Sequence, residues 1–317
     1  MTTLRHYFSL ILVLCSLTGN AHGALNVVVS LKPAHSLLAS LMLDVAEPKL
    51  LLDDSQSPHS MSLKPSQIRM LNQADLIVWV GNTLEPALSR LLERRSYEAA
   101  IISLLETPDL QLLPVRNRRE WTAHGHAHDH DDNQPDRVIN PVMFDNHIWL
   151  SPENAATMVR HLTQKLIELD KAHSAVYRKN SRNLLNRLDT IDNEIRTELE
   201  PVTNTPYVVF HDAYQYFEAH YGMRTLGTVN ISPEQSSGAR HIHRLRQTIK
   251  ERGARCLFTE PQFEPKLAHT LLEGLAVSIG ELDPLGKQLP PGPDCYFSLM
   301  KELADNLLDC LSGEFPE

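Results

Sequence analysis

The chain has 317 residues, 42% of them hydrophobic and 22% charged, with 39 acidic against 30 basic side chains and a formal charge of −9. That length suits two domains better than one. The acidic balance argues against nucleic acid or anionic lipid as partners and favours the attraction of cations.

Arg5 and His6 precede an apolar run from Phe8 to Leu17, and Ala21-His22-Gly23 places small residues at the −3 and −1 positions of a cleavage point. This is the layout of a secretory signal over residues 1–23, too short for a membrane span. Cleavage after Gly23 would leave 294 residues, 29 basic and 39 acidic, in an exported, periplasmic protein. Three cysteines remain, Cys256, Cys295 and Cys310. In an oxidising compartment two of them are expected to pair, leaving one over.

Leu25 to Leu31 is a continuous, largely β-branched run, the mark of a strand buried on both faces. Pro33 and His35 open a helix to about Leu43, residues 49–53 read as a second strand, Ser66 to Ala74 as a helix, and Leu76 to Val80 as a third strand stopped by Gly81. Strand and helix alternate over short connections, which predicts a parallel sheet built from βαβ units. Residues 114–140 break the rhythm and read as a surface loop. Ser151-Pro152-Glu153 then supplies an N-cap, a first-turn proline and a first-turn acid. Helical periodicity runs on to about Leu199, too long for one ordinary core helix and better read as two, the second bridging two lobes.

Alternation resumes with a strand at Tyr207–Phe210 and a helix from Ala213. A strand near 224–229 follows, then a helix from Ala239 that ends at Gly253. Further strands are expected at Cys256–Thr259 and Ala276–Leu282, separated by a helix through Leu275, and a last helix over Tyr296–Leu311. The fold class is therefore α/β: two lobes with parallel sheets flanked by helices, joined by a long rigid linker helix. The boundaries read as 24–170 for the first lobe, including the loop at 114–140, then 171–200 for the linker helix and 201–317 for the second lobe.

Two sets of histidines suggest metal chemistry. His124, His126, His128 and His130 alternate through an acidic stretch with Asp129, Asp131 and Asp132, a composition too polar to pack but able to gather a borderline-soft divalent ion. His59, His147 and His211 each sit at a strand-to-helix transition, as does Asp283, where the loops of parallel sheets converge on ligands. Three imidazoles with a carboxylate or water match the tetrahedral preference of zinc. Each has a plainer reading: His211 beside Asp212 can cap a helix, and Asp283 before Pro284 opens turns. His161, His173, His220 and His269 read as solvated helix-face residues.

The blocks Ser30-Leu31-Lys32-Pro33, His59 with Ser62-Leu63-Lys64-Pro65, Asp145-Asn146-His147-Ile148-Trp149, Phe210-His211-Asp212-Ala213-Tyr214, Thr259-Glu260-Pro261 and Leu282-Asp283-Pro284-Leu285-Gly286 occur in this order. In them the chain resembles the substrate-binding proteins of zinc and manganese ABC transporters, of the ZnuA type, over essentially its whole mature length. The resemblance implies a periplasmic, non-catalytic protein that captures Zn(II), its transported ligand, in an interlobe cleft and delivers it to an ABC permease. It also implies His59, His147, His211 and Asp283 as ligands and a disulfide between Cys256 and Cys310. A monomer is expected. The rival readings are a manganese- or iron-binding protein on the same scaffold, and a zinc-dependent hydrolase. Manganese prefers oxygen donors where this chain has the imidazole of His211. A hydrolase wants a general base, for which Glu260 is the nearest candidate, and neither HExxH nor a nucleophile elbow is present.

Overall fold

A computed structural model describes residues 24–52, 56–94, 96–116, 143–230, 238–261 and 266–313. The expected leader at 1–23 and the histidines at 124–130 lie outside them. The first sheet takes β1 (Val27–Val29), β2 (Lys49–Leu50), β3 (Leu76–Trp79) and β4 (Ala100–Ser103) in the order β2-β1-β3-β4. The second takes β5 (Tyr207–His211), β6 (Thr225–Asn230), β7 (Cys256–Thr259) and β8 (Ser278–Glu281) in the order β6-β5-β7-β8. All neighbours are parallel. The two sheets thus share one winding, with the connection reversing direction beside the first strand of each, where such sheets hold ligands.

Central strands are buried at every position, as their unbroken apolar runs require, whereas the edge strands β4 and β8 bury theirs only in part. Helices α1 (Lys32–Leu41), α2 (Pro65–Asn72) and α3 (Pro86–Arg94) belong to the first lobe. In the second, α6 (Gln215–Tyr221), α7 (Ala239–Arg252) and α8 (Lys266–Leu272) follow the strands, and α9 (Cys295–Ser312) closes the chain. Gly222 and Gly253 end α6 and α7 in the left-handed conformation, at φ 68° and 67°.

The long helical stretch is two helices, α4 (Pro152–Leu169) and α5 (Ser174–Leu199). Ser151 Oγ accepts from the Asn154 amide at 3.2 Å and caps α4. With 26 residues, α5 is about 39 Å long. Its stripe Leu184, Leu188, Ile191, Ile195 and Leu199 is buried, and it packs on α1, α4 and α9, so one apolar core runs through both lobes. Asn180 of α5 donates to the carbonyls of Leu41 and Leu43 at 3.0 and 2.8 Å, satisfying the open end of α1.

Several expectations shift. Strand β2 spans two residues rather than five, and α3 and β4 occupy a stretch between 82 and 113 where the sequence pattern is short and broken. Helix α8 stops at Leu272, before Gly274 at φ 71°. His220 is not solvated: its Nε2 lies 2.7 Å from Asp192 Oδ1, and its ring stands edge-on to Tyr221. Cys256 and Cys310 form a disulfide that ties β7 to α9, and Cys295 is buried and takes no part in that bond. Among the described residues no helix is long and apolar enough to cross a membrane.

Candidate metal centre

A turn after β2, the segment leading into α4 and the end of β5 bring three imidazoles together. His59 stands in a turn after β2, closed by Ser60 N donating to Ser57 O. His147 precedes a short 3-10 turn, Ile148–Leu150, that leads into α4. His211 is the last residue of β5. One ring nitrogen from each lies within 4.8 Å of the others. The ring centroids are 5.9 Å apart for His59 and His147, 6.0 Å for His59 and His211, and 5.1 Å for His147 and His211. Residues from both sides of the α4–α5 connection therefore face one point.

Carboxylates brace two of the rings from behind. His147 Nδ1 lies 2.7 Å from Asp145 Oδ1, which also accepts the His147 amide at 3.0 Å. Asp145 is in turn fixed by its own amide on Leu113 O and by Tyr216 Oη donating to its carbonyl. His211 Nδ1 lies 2.6 Å from Glu260 Oε1, and Glu260 is 2% exposed. The register explains the meeting: Val209 pairs with Phe258, so His211 and Glu260 stand level two residues further on. When Nδ1 donates to a carboxylate, the lone pair is on Nε2, and the ring is set in the tautomer a metal needs.

The electrostatics separate the three rings. Burial, with His147 and His211 adding to it, lowers the pKa of His59 to about 3. Burial also acts downward on His147, but the facing Asp145 carboxylate outweighs it, helped by Glu260 and Asp212, and the net shift is upward. Glu260 is pushed well up by burial; His147 opposes this and Asp283 adds to it. A divalent cation between the rings would offset the burial of Asp145 and Glu260. Three nitrogen donors fit zinc rather than manganese.

Asp283 is not among the side chains whose donor atoms gather within 4.8 Å. Its carboxylate accepts from the Leu285 amide at 2.9 Å and from the Lys287 amide, in a turn directly after β8. Sequence reasoning missed the bracing role of Asp145 and Glu260, although an acid two residues before His147 and another just after a strand were available as signals. It also missed Arg116, whose guanidinium binds Asp212 and, at 2.7 Å, Glu218 Oε2. Tyr207 Oη completes that buried cluster on Glu218 Oε1 at 3.0 Å.

The family profile described as "Zinc-uptake complex component A periplasmic" matches residues 27–310. A high-affinity zinc uptake system protein of Brucella suis biovar 1 is 37% identical over 316 residues, covering 94% of each chain. The protein of the same description from Yersinia pestis is 34% identical over 289 residues, covering 90% of this chain and 91% of its own. A zinc-bound ZnuA deletion mutant superposes with a TM-score of 0.73 at 23% identity, covering 92% of this chain and 99% of its own. A laminin-binding protein of Streptococcus agalactiae, described as both adhesin and metal transporter, gives 0.73 at 22%, covering 91% and 99%. At those identities the two structures speak for the fold alone.

Proposed function

The chain belongs to the ZnuA family of periplasmic zinc-uptake components, and from that premise we propose that it captures Zn(II) through His59, His147 and His211 and delivers the ion to an ABC permease. The observation that carries this reading is the approach of three ring nitrogens to within 4.8 Å. Two of those rings are held by buried carboxylates. We assign the fourth ligand to Asp283, because a carboxylate has lone pairs enough to keep its backbone amides and still bind a cation.

The finer points belong to the same proposal. The mature protein starts after residue 23 and works in the periplasm as a monomer, without turning over a substrate. His124, His126, His128 and His130 gather ions weakly and pass them on. Against catalysis, the acids beside the site, Asp145 and Glu260, are engaged by ring nitrogens, where a hydrolase needs a general base.

Competition titrations with Zn, Mn and Fe test the assignment. Tight zinc binding that is lost in His59→Ala, His147→Ala and His211→Ala supports it. A deletion of 124–132 that is more damaging than any of these substitutions overturns the choice of primary site, and preferred manganese overturns the choice of ion. Turnover of esters or peptides by the zinc-loaded protein would argue for the hydrolase instead.

A further inference from the structure

Lys32 opens α1 directly after β1, is buried, and reaches out of the first lobe. Its Nζ donates to the carbonyls of Gly286 at 3.2 Å, Lys287 at 2.7 Å and Leu289 at 2.7 Å. An ammonium offers three protons, and this turn of the second lobe presents three carbonyls to them. Burying an ammonium is unfavourable unless it is hydrogen-bonded, and an apolar side chain would serve simple packing better. The turn it holds is the one that Asp283 organises. Residue 287 is fixed at both ends, its amide on the Asp283 carboxylate and its carbonyl on Lys32.

Two further features make that turn specific. Gly286 adopts φ +63°, and a Cβ there would come 3.0 Å from Leu289 Cδ1 and 3.2 Å from Leu299 Cδ1. Trp149, two residues beyond His147, donates from Nε1 to Pro284 O at 2.8 Å. The segment carrying Asp283 leaves from β8 in the second lobe, yet Lys32 and Trp149 of the first lobe grip it.

We propose that Lys32 is a positioning residue for Asp283. By holding the Gly286–Leu289 carbonyls from across the lobe boundary, it fixes the turn whose amides aim the Asp283 carboxylate, so that this ligand keeps register with His59 and His147. The inference rests on Asp283 being a zinc ligand, as proposed above. A lysine that merely glued the lobes together would change zinc affinity independently of Asp283.

The test is a double-mutant cycle on the mature chain, with zinc affinity read by chelator competition. Lys32→Met and Asp283→Ala each raise Kd by roughly tenfold to a hundredfold. The double variant is no worse than Asp283→Ala alone, and Lys32→Arg recovers part of the loss. An unchanged Kd in Lys32→Met or in Asp283→Ala overturns the inference, as do effects that multiply in the double variant. Should Lys32→Met not fold, Lys32→Gln goes through the same cycle under the same criteria. His211→Ala separates the two levels. If it abolishes tight binding while the cycle is additive, the positioning role alone falls. If it leaves affinity intact, the site assignment falls and takes this inference with it.

Discussion

Glu260 Oε1 lies 2.6 Å from His211 Nδ1, both side chains buried at the ends of adjacent parallel strands. A carboxylate in that place selects the tautomer and fixes the ring plane, so its removal should weaken metal binding without touching a ligand. Glu260→Ala is expected to lower zinc affinity about tenfold to a hundredfold. Glu260→Gln should cost less, since its amide oxygen still accepts. Competition against a chelator of known affinity measures both, and equal losses in the two would contradict the account.

Zinc binding should weaken as pH falls, as His147 takes up a proton. His59 stays neutral down to about pH 3 under the influence of burial and its two neighbours. Burial also lowers His147, but Asp145 more than compensates, so this ring takes up its proton above the ordinary 6.5. With Nδ1 on Asp145, that proton goes to Nε2, the atom zinc needs. Affinity therefore falls as pH drops through the raised value, and Asp145→Asn moves the onset to lower pH. Calorimetric titration between about pH 8 and pH 5 reads the shift.

Arg116 neutralises two buried carboxylates at once. Burial pushes Asp212 up to about 7, with Arg116 opposing and Glu218 adding. Arg116→Met leaves both acids without a counter-charge, Glu218 keeping the Tyr207 hydroxyl, and should destabilise the fold by about 3–5 kcal/mol. A carboxyl whose folded pKa is raised loses stabilisation as pH rises through that value. The deficit in denaturant melts should therefore be larger above pH 7 than below it. A deficit independent of pH would place the loss in packing rather than charge.

The disulfide closes a sequence separation of 54 residues between β7 and α9. Loop-closure entropy sets its contribution at about 4 kcal/mol. Cys256→Ser with Cys310→Ser should lower stability towards that amount while leaving zinc affinity near the wild-type value, because neither residue is among the grouped donors. A large loss of affinity would mean that α9 packing reaches the metal ligands.

Much of this architecture is legible in the chain. Strands β1, β3, β5 and β7 stand out because burial on both faces demands unbroken apolar runs. The edge strand β4 lacks that pattern, since one of its isoleucines, Ile101, is 43% exposed. His59, His147 and His211 could be singled out by their place after strands or before a capped helix, yet their convergence depends on how two lobes pack, which no local pattern encodes. Asp145 and Glu260 lie in the sequence blocks that carry the family resemblance, but their role follows only from register and ring geometry. His220 looked like a surface residue because its partner, Asp192, is 28 positions away. Arg116 belongs to a stretch readable only as loop, and its partners lie about a hundred residues further along.

Anomalous diffraction at the zinc absorption edge, on crystals of the zinc-loaded mature protein, tests the central claim most directly. The account predicts a strong peak about 2.0–2.1 Å from one nitrogen each of His59, His147 and His211. A fully occupied zinc bound elsewhere, with these three side chains free of metal, would contradict it.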